Sequence, residues 1–333
     1  MKAAKFVGND HIQIVEMEAP SLTSEDEVVV RVTCCGLCGS DKRLFHNGAN
    51  HIPGHEIAGV IHQAGENAKL ALGTRVIIYI PIYCGTCKYC LAGETNRCQH
   101  VNGLVGWQRD GGYAEYVVVP ARNVIPIPDD LTDMDGVLLL DTIGTAAHAI
   151  RLAMRRNPGA TAGEKVLVMG CGPLGLGTIL TFKAFGFTEI YAADPSEERL
   201  ALAQEFGASP FSASGEPEAG EFAMVIEASG SAMGRKIGLY AVEPGGALVI
   251  LGESNDPFVI EPTPALRRKD FYMIRSFYFD LNEMADNIEL YRNNQQSFQR
   301  LVSKVVSFEQ LEETFVEFCQ GKTIKPFVRM ENK

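Results

Sequence analysis

Four cysteines spaced Cys84-x2-Cys87-x2-Cys90-x7-Cys98 constrain this chain more than any other stretch. Two-residue gaps let neighbouring thiolates converge on one ion, and the longer return brings the fourth sulfur around. Four thiolates close a tetrahedral zinc site, which makes such a site structural rather than catalytic. An iron–sulfur cluster is the competing reading, because sets of four cysteines also hold those.

The remaining cysteines divide into two kinds. Cys34, Cys35, Cys171 and Cys319 read as small apolar residues. Cys38 differs: it lies in Gly36-Leu37-Cys38-Gly39-Ser40-Asp41, followed by Gly54-His55-Glu56. The glycines let the backbone turn so that thiol, imidazole and carboxylate face one centre. Three protein ligands would leave a coordination position open for substrate. Taken alone, the pattern also fits a buried thiol and an unrelated loop histidine.

Composition limits the partners. With 30 Lys and Arg against 41 Asp and Glu, the formal charge is −11. Nucleic acid and anionic membrane both call for a basic surface, so neither is expected. The first residues turn polar after Val7, and no signal peptide is expected there. No run approaches the ~20 apolar residues of a membrane span. Nine cysteines without a secretory signal point to metal binding in a cytoplasmic protein rather than to disulfides. At 333 residues the chain has room for about two domains.

Periodicity assigns these domains different characters. Residues 1–140 alternate apolar and polar in short runs separated by Gly- and Asn-rich loops, as barrel-like β structure does. From residue 142 a helix pattern begins and closes at Asn157-Pro158-Gly159. A strand–helix alternation follows. Val166-Leu167-Val168-Met169, residues 190–193, 224–228 and 247–251 read as buried strands, and residues 174–185 as a helix. That alternation implies a doubly wound parallel sheet. Residues 212–220 read as a surface loop. Residues 271–279 read as an aromatic strand, and residues 308–319 as a helix whose Phe stripe faces a core, with Ser307 and Gln310 as a capping box.

Gly170-Cys171-Gly172-Pro173-Leu174-Gly175 follows a strand and opens a helix. Gly170 permits the tight turn, Gly172 the approach of a pyrophosphate, and Gly175 close packing of helix on strand. Asp194 ends the next strand, where a carboxylate bonds the ribose 2′-OH and favours NAD over NADP. Arg199, five residues on, is placed either to brace the adenosine ribose or to tolerate extra charge there. A plain helix cap is the other reading of Asp194.

Cys38, the Gly54-His55-Glu56-Ile57-Ala58-Gly59-Val60 run, the cysteine loop and the glycine fingerprint occur in one order. In this the chain resembles the medium-chain, zinc-dependent alcohol dehydrogenase superfamily, its polyol (sorbitol-like) and threonine branches above all. The resemblance implies an α/β protein with a mainly-β second domain: a GroES-like β-barrel catalytic domain from residues 1–145 and 272–333, and a Rossmann domain over 146–271. It implies a catalytic zinc on Cys38 and His55, with Asp141 as candidate third ligand and Glu56 as a carboxylate able to exchange with the bound water. A helix cap is the alternative for Asp141.

The resemblance further implies that Asp41 orients His55, that Ser40 accepts the substrate proton, and that Lys325 reaches the cofactor phosphates. His148 is expected to be structural. Arg43 occupies the position where relatives often carry a proton-passing histidine. The implied activity is NAD-dependent oxidation of a secondary alcohol, with L-threonine as the alternative substrate and a non-catalytic binding protein as the alternative class. A homodimer or homotetramer is expected, with the strand at 271–279 as its edge.

Overall fold

The structure is a computed structural model and describes residues 1–156, 163–212, 220–261 and 263–330. The expected helix stop at Asn157-Pro158-Gly159 and most of the expected loop at 212–220 lie outside the described residues. In chain order the strands are β1 (Lys2–Gly8), β2 (His11–Glu16), β3 (Glu27–Gly36), β4 (Glu56–Ala64), β5 (Arg75–Ile78), β6 (Tyr116–Pro120) and β7 (Val124–Pro126). Then come β8 (Val166–Met169), β9 (Ile190–Ala193), β10 (Ser209–Pro210), β11 (Phe222–Glu227), β12 (Val242–Ile250) and β13 (Tyr272–Arg275). The last two are β14 (Val302–Ser307) and β15 (Lys325–Arg329).

The chain divides into two compact units. The first comprises Met1–Leu140, Asp280–Asn282 and Gln299–Lys333, and the second Asp141–Phe279 and Glu283–Phe298.

In the first unit β1 and β2 form a hairpin whose two-residue loop, Asn9-Asp10, has φ of +54° and +59°. Positive φ at both positions matches the right-handed twist of the flanking strands, and Asn and Asp tolerate it. A larger sheet runs β14-β15-β3-β4-β5-β7, with β6 also paired to β3. β3 therefore carries partners on both edges, and Val28, Val30 and Val32 along it are buried. The helix Leu311–Cys319 packs Leu311, Phe315 and Phe318 into the same core, behind the Ser307/Gln310 capping box. Phe315 meets Phe45 at 4.7 Å and Phe6 at 5.3 Å, and Phe6 stacks on Tyr113 at 5.6 Å. This aromatic cluster anchors the short helix Lys42–Asn47, and with it the Cys38–Asp41 turn just before it.

The second unit holds six parallel strands in the order β10-β9-β8-β11-β12-β13. All four residues of β8 and all six of β11 are buried, as strands covered on both faces must be. The helix Asp141–Arg156 buries Ala146, Ala147, Ala149, Ile150 and Ala153. Gly177, in the helix Pro173–Ala184, lets that helix close on it: a Cβ there would stand 2.7 Å from Thr142 Cγ2. The helical stretch Asp133–Arg156 is long and apolar enough to cross a membrane by length and composition, yet 78% of its apolar window is buried, as in a core helix.

Two elements differ from expectation. The aromatic strand at 271–279 is confined to β13, Tyr272–Arg275, after which Tyr278 takes a positive φ of 51° and the chain turns. Cys319, expected to pack as a small apolar residue, is exposed at the end of its helix.

Candidate active site

The first centre lies where β3 ends and β4 begins. Cys38 precedes a 3-10 turn, Gly39–Asp41, and His55 and Glu56 open β4 after Gly54 at φ +94°. Cys38, His55 and Glu56 each present a ligand atom within 4.8 Å of the others. His55 is 3% exposed and Glu56 fully buried. A half-buried sulfur converging with a buried imidazole and carboxylate forms a donor set chemically suited to zinc.

Behind His55 its Nδ1 lies 3.1 Å from Asp41 Oδ1, close but off the hydrogen-bond axis. Burial opposes the imidazolium, but Asp41 and Cys38 outweigh it and raise the His55 pKa well above its ordinary value. The Tyr113 hydroxyl donates to Asp41 Oδ2 at 3.2 Å. Burial and then the neighbouring carboxylates push the Tyr113 pKa well up, so it stays a donor. The Ser40 hydroxyl points at Cys38 Sγ, 3.3 Å away.

Glu56 Oε1 is paired with the Lys325 ammonium, which is 2% exposed. The sequence analysis expected Lys325 to reach cofactor phosphates, whereas the structure turns its charge inward onto Glu56. Tyr113 was not among the expected site residues. Its signal was Gly111-Gly112 just before it: both glycines sit where a Cβ would strike the backbone of Gly54 or the side chain of Ile57.

Asp141 is the first residue of the second unit, one peptide bond after Leu140. It opens the helix Asp141–Arg156, and its Oδ1 accepts from Thr145 Oγ1 at 3.0 Å. His148, on the same helix, is buried against Glu283 at 3.0 Å.

In the cysteine loop all four sulfurs lie within 4.8 Å of one another. Cys84 Sγ and Cys90 Sγ are 3.8 Å apart, and Cys87 Sγ and Cys90 Sγ 3.5 Å. Zinc–sulfur bonds of ~2.3 Å at the tetrahedral angle place sulfurs roughly 3.8 Å apart, so the spacing fits a zinc-sized cation. Backbone N–H groups already support thiolates here. Thr86 and Cys87 donate to Cys84 Sγ at 3.4 and 3.3 Å, and His100 donates to Cys98 Sγ at 3.3 Å. Donation from Thr86, first of these, lowers the Cys84 pKa to about 5.

In the second unit the glycine loop leaves β8 with Gly170 at φ +95°. A Cβ on Gly175 would stand 1.8 Å from Gly170 O, so only glycine lets the helix follow the strand so closely. A Cβ on Gly172 would meet nothing within 4 Å. Gly172 caps the helix Pro173–Ala184, with Pro173 at its first position and Leu174 next. First-turn N–H groups of a helix lack intrahelical acceptors and hold phosphate well. The open face at Gly172 thus fits a dinucleotide pyrophosphate.

Asp194 is no helix cap, since Ser196 fills that place and accepts from Arg199 N. Asp194 Oδ2 instead accepts from Cys171 N at 2.7 Å, and Oδ1 from Ser196 N at 2.9 Å. It ties the glycine loop to the end of β9. Burial, with Asp194 nearby, raises the Cys171 thiol to about 12, which leaves it inert.

The chain is similar to known dehydrogenases in sequence and in fold. Residues 24–129 match the alcohol dehydrogenase GroES-like domain, and residues 173–293 match the zinc-binding dehydrogenase domain. A probable D-xylulose reductase A of Arthroderma otae is 30% identical over 96% of this chain and 95% of its own. The galactitol 1-phosphate 5-dehydrogenase of Escherichia coli is 36% identical over 61% of this chain and 59% of its own. Its crystal structure superposes with a TM-score of 0.87 at 27% identity, covering 99% of this chain and 100% of the other. An alcohol dehydrogenase from Thermus sp. ATN1 gives a TM-score of 0.90 at 27% identity, with 99% and 100% covered.

Proposed function

Because the chain belongs to the zinc-binding, medium-chain alcohol dehydrogenase family, we propose that it oxidises a secondary hydroxyl of a polyol, sugar derivative or diol with NAD. The observation that carries this reading is the convergence of Cys38, His55 and Glu56 on one centre, with Asp41 behind the imidazole.

When bound, zinc supplies a charge that acidifies an alcohol, and NAD supplies the hydride acceptor. Cys38 and His55 would hold the metal, with Asp141 as third ligand on its place in the chain. Asp41, itself fixed by Tyr113, keeps the His55 ring turned so that Nε2 is the ligand atom. Ser40 takes the alcohol proton. Arg43 cannot pass it on, because a guanidinium does not deprotonate in proteins. Glu56, balanced by Lys325, keeps a carboxylate beside the metal for exchange with water. In the second unit the Gly170–Gly175 loop cradles the pyrophosphate, and Asp194 and Arg199 flank the adenosine ribose. A carboxylate there favours NAD over NADP.

None of the nine cysteines is disulfide-bonded, in keeping with a reducing, cytoplasmic compartment. Strand β13 is a sheet edge with Tyr272 and Met273 nearly half exposed, and pairing of two such edges would make a homodimer.

Metal analysis combined with NAD reduction tests the reading. The expected result is two zinc ions per chain and turnover on at least one of sorbitol, xylitol, 2,3-butanediol or L-threonine. The Cys38→Ser variant should keep one zinc and NAD binding while losing turnover. A metal-free chain, or a Cys38→Ser variant with normal turnover, refutes it.

A further inference from the structure

One side chain beside the first centre has no task in the chemistry above. Arg43 projects from the helix Lys42–Asn47, immediately after the Cys38–Asp41 turn. Its guanidinium carbon stands 5.0 Å from the centre of the Trp107 ring. The indole in turn lies 6.0 Å from the His55 imidazole, tilted by 41°. Guanidinium, indole and candidate metal ligand thus form a continuous row within one unit.

The row is held firmly. Gly106, just before Trp107, sits against the chain that leads into His55: a Cβ there would stand 2.5 Å from Gly54 O. Trp107 N donates to Leu104 O at 3.1 Å, and His51 Nε2 lies 3.1 Å from Gly106 O. Neither end of the loop that carries Trp107 is free to swing.

The guanidinium, by contrast, is unanswered. Among the described residues no carboxylate pairs with Arg43, and the residue is exposed. The two acids nearest in chain or loop are committed elsewhere. Asp41 faces His55 and Tyr113, and Asp110 accepts from Ile52 N at 2.9 Å. Lys42 lies over the Phe318 ring, at 4.9 Å. A fixed cation, stacked and with its N–H fork open to solvent, is the arrangement that recognises a phosphate.

We infer that Arg43 is a specificity-determining residue of the alcohol site, and that the substrate is a polyol carrying a phosphate monoester. This rests on the site reading proposed above and narrows its substrate class. The reacting hydroxyl lies at the Cys38–His55 centre, and the phosphate lies on Arg43 at the far side of the indole. The carbon chain runs along the Trp107 face, spanning the distance between them.

Trp107 is the single tryptophan of the chain, so its emission reports on this row directly and needs no turnover. Zinc-loaded protein is titrated with sorbitol 6-phosphate and, separately, with sorbitol at matched ionic strength. The phosphate ester should change Trp107 emission saturably at a concentration at least tenfold lower than sorbitol does. Arg43→Gln should weaken that response about tenfold or more, the scale of one charge-assisted hydrogen bond. In NAD reduction, the kcat/KM ratio of sorbitol 6-phosphate to sorbitol should fall by a similar factor in Arg43→Gln, chiefly through KM.

Equal emission responses to both compounds, or an Arg43→Gln variant that titrates like the parent, overturn the inference. Turnover of sorbitol with no preference for its phosphate overturns it alone and leaves the proposed activity standing. An Arg43-dependent emission response in a protein that reduces no NAD supports the anion site and counts against the activity instead.

Discussion

Lys325 and Glu56 are 269 residues apart in the chain and form a fully buried ion pair inside one unit. Glu56 opens β4 and Lys325 opens β15, two strands joined only through β3 between them. The ammonium therefore sits beside a centre already crowded with the Cys38 thiol and the carboxylates of Asp41 and Glu56. It offsets part of the negative charge that the fold gathers there.

Removing one partner of such a pair leaves the other charged and buried, which typically costs about 3–5 kcal/mol. Lys325→Met is expected to lower unfolding stability by that order in a denaturant titration. Glu56→Gln combined with Lys325→Met should recover part of the loss, because the double variant buries no lone charge. A single variant as stable as the parent would show that the pair contributes nothing.

The cysteine loop makes a separate prediction. Residues 84–98 are held by N–H donation to the sulfurs of Cys84 and Cys98 and by buried Thr95, whose hydroxyl donates to the Tyr79 hydroxyl at 2.9 Å. Binding of a structural metal is then local folding energy. Cys87→Ser should lose one zinc per chain and make this loop the first site of proteolytic cleavage, while NAD binding stays intact. Retention of two zinc ions in that variant would remove Cys87 from the ligand set.

These two sites differ in how readable they were. The cysteine spacing and the glycine fingerprint are local, so turn chemistry alone carries them from sequence to structure. The Phe308, Leu311, Phe315 and Phe318 stripe was legible for the same reason, as helical periodicity. The partners of the functional residues were not. Lys325 with Glu56, Tyr113 with Asp41 and Glu283 with His148 are long-range pairings set by sheet order and helix packing, on which periodicity is silent. β14 and β15 were missed likewise, since short strands in a chain's tail gain their identity only from pairing with each other and with β3. The expected strand at 271–279 was too long because aromatic content reads the same in a strand and in the buried turn at Tyr278 and Phe279.

Glu283 links stability to pH. Burial alone would raise its carboxyl, but His148, Arg151 and Arg155 outweigh burial and hold the pKa below the usual value. His148 Nδ1 lies 3.0 Å from it and Arg151 Nη1 3.1 Å. A folded-state value below the unfolded one means that the contribution is complete above about pH 4.3, the unfolded carboxyl value, and disappears as pH falls through the lower folded value. Glu283→Gln should therefore unfold more easily near neutral pH, by about 3 kcal/mol as for a broken buried pair. It should also show a shallower loss of stability than the parent between about pH 5 and pH 3. Parallel curves across that window would deny Glu283 this role.

Asp194 carries two loads, and its replacement should show both. One carboxylate oxygen holds Cys171 N at 2.7 Å and so fixes the glycine loop; the other holds Ser196 N at 2.9 Å. Each oxygen has a second lone pair, which leaves the carboxylate able to accept from a ribose hydroxyl as well. Asp194→Ala removes the loop tether and the ribose acceptor together, so NAD should bind at least about tenfold more weakly, the worth of one charge-assisted hydrogen bond. NADP should lose less, because the carboxylate that repels a 2′-phosphate is gone as well. Asp194→Asn separates the effects in part: its single amide oxygen can still accept from Cys171 N, while the negative charge and the acceptor for Ser196 N are lost. If the tether is the larger contribution, Asn should retain most of the NAD affinity while the NAD-to-NADP ratio moves toward unity. If neither variant weakens NAD and both leave that ratio unchanged, Asp194 contributes to NAD binding neither through the tether nor through the ribose. Calorimetric titration of both variants with NAD and NADP distinguishes these outcomes.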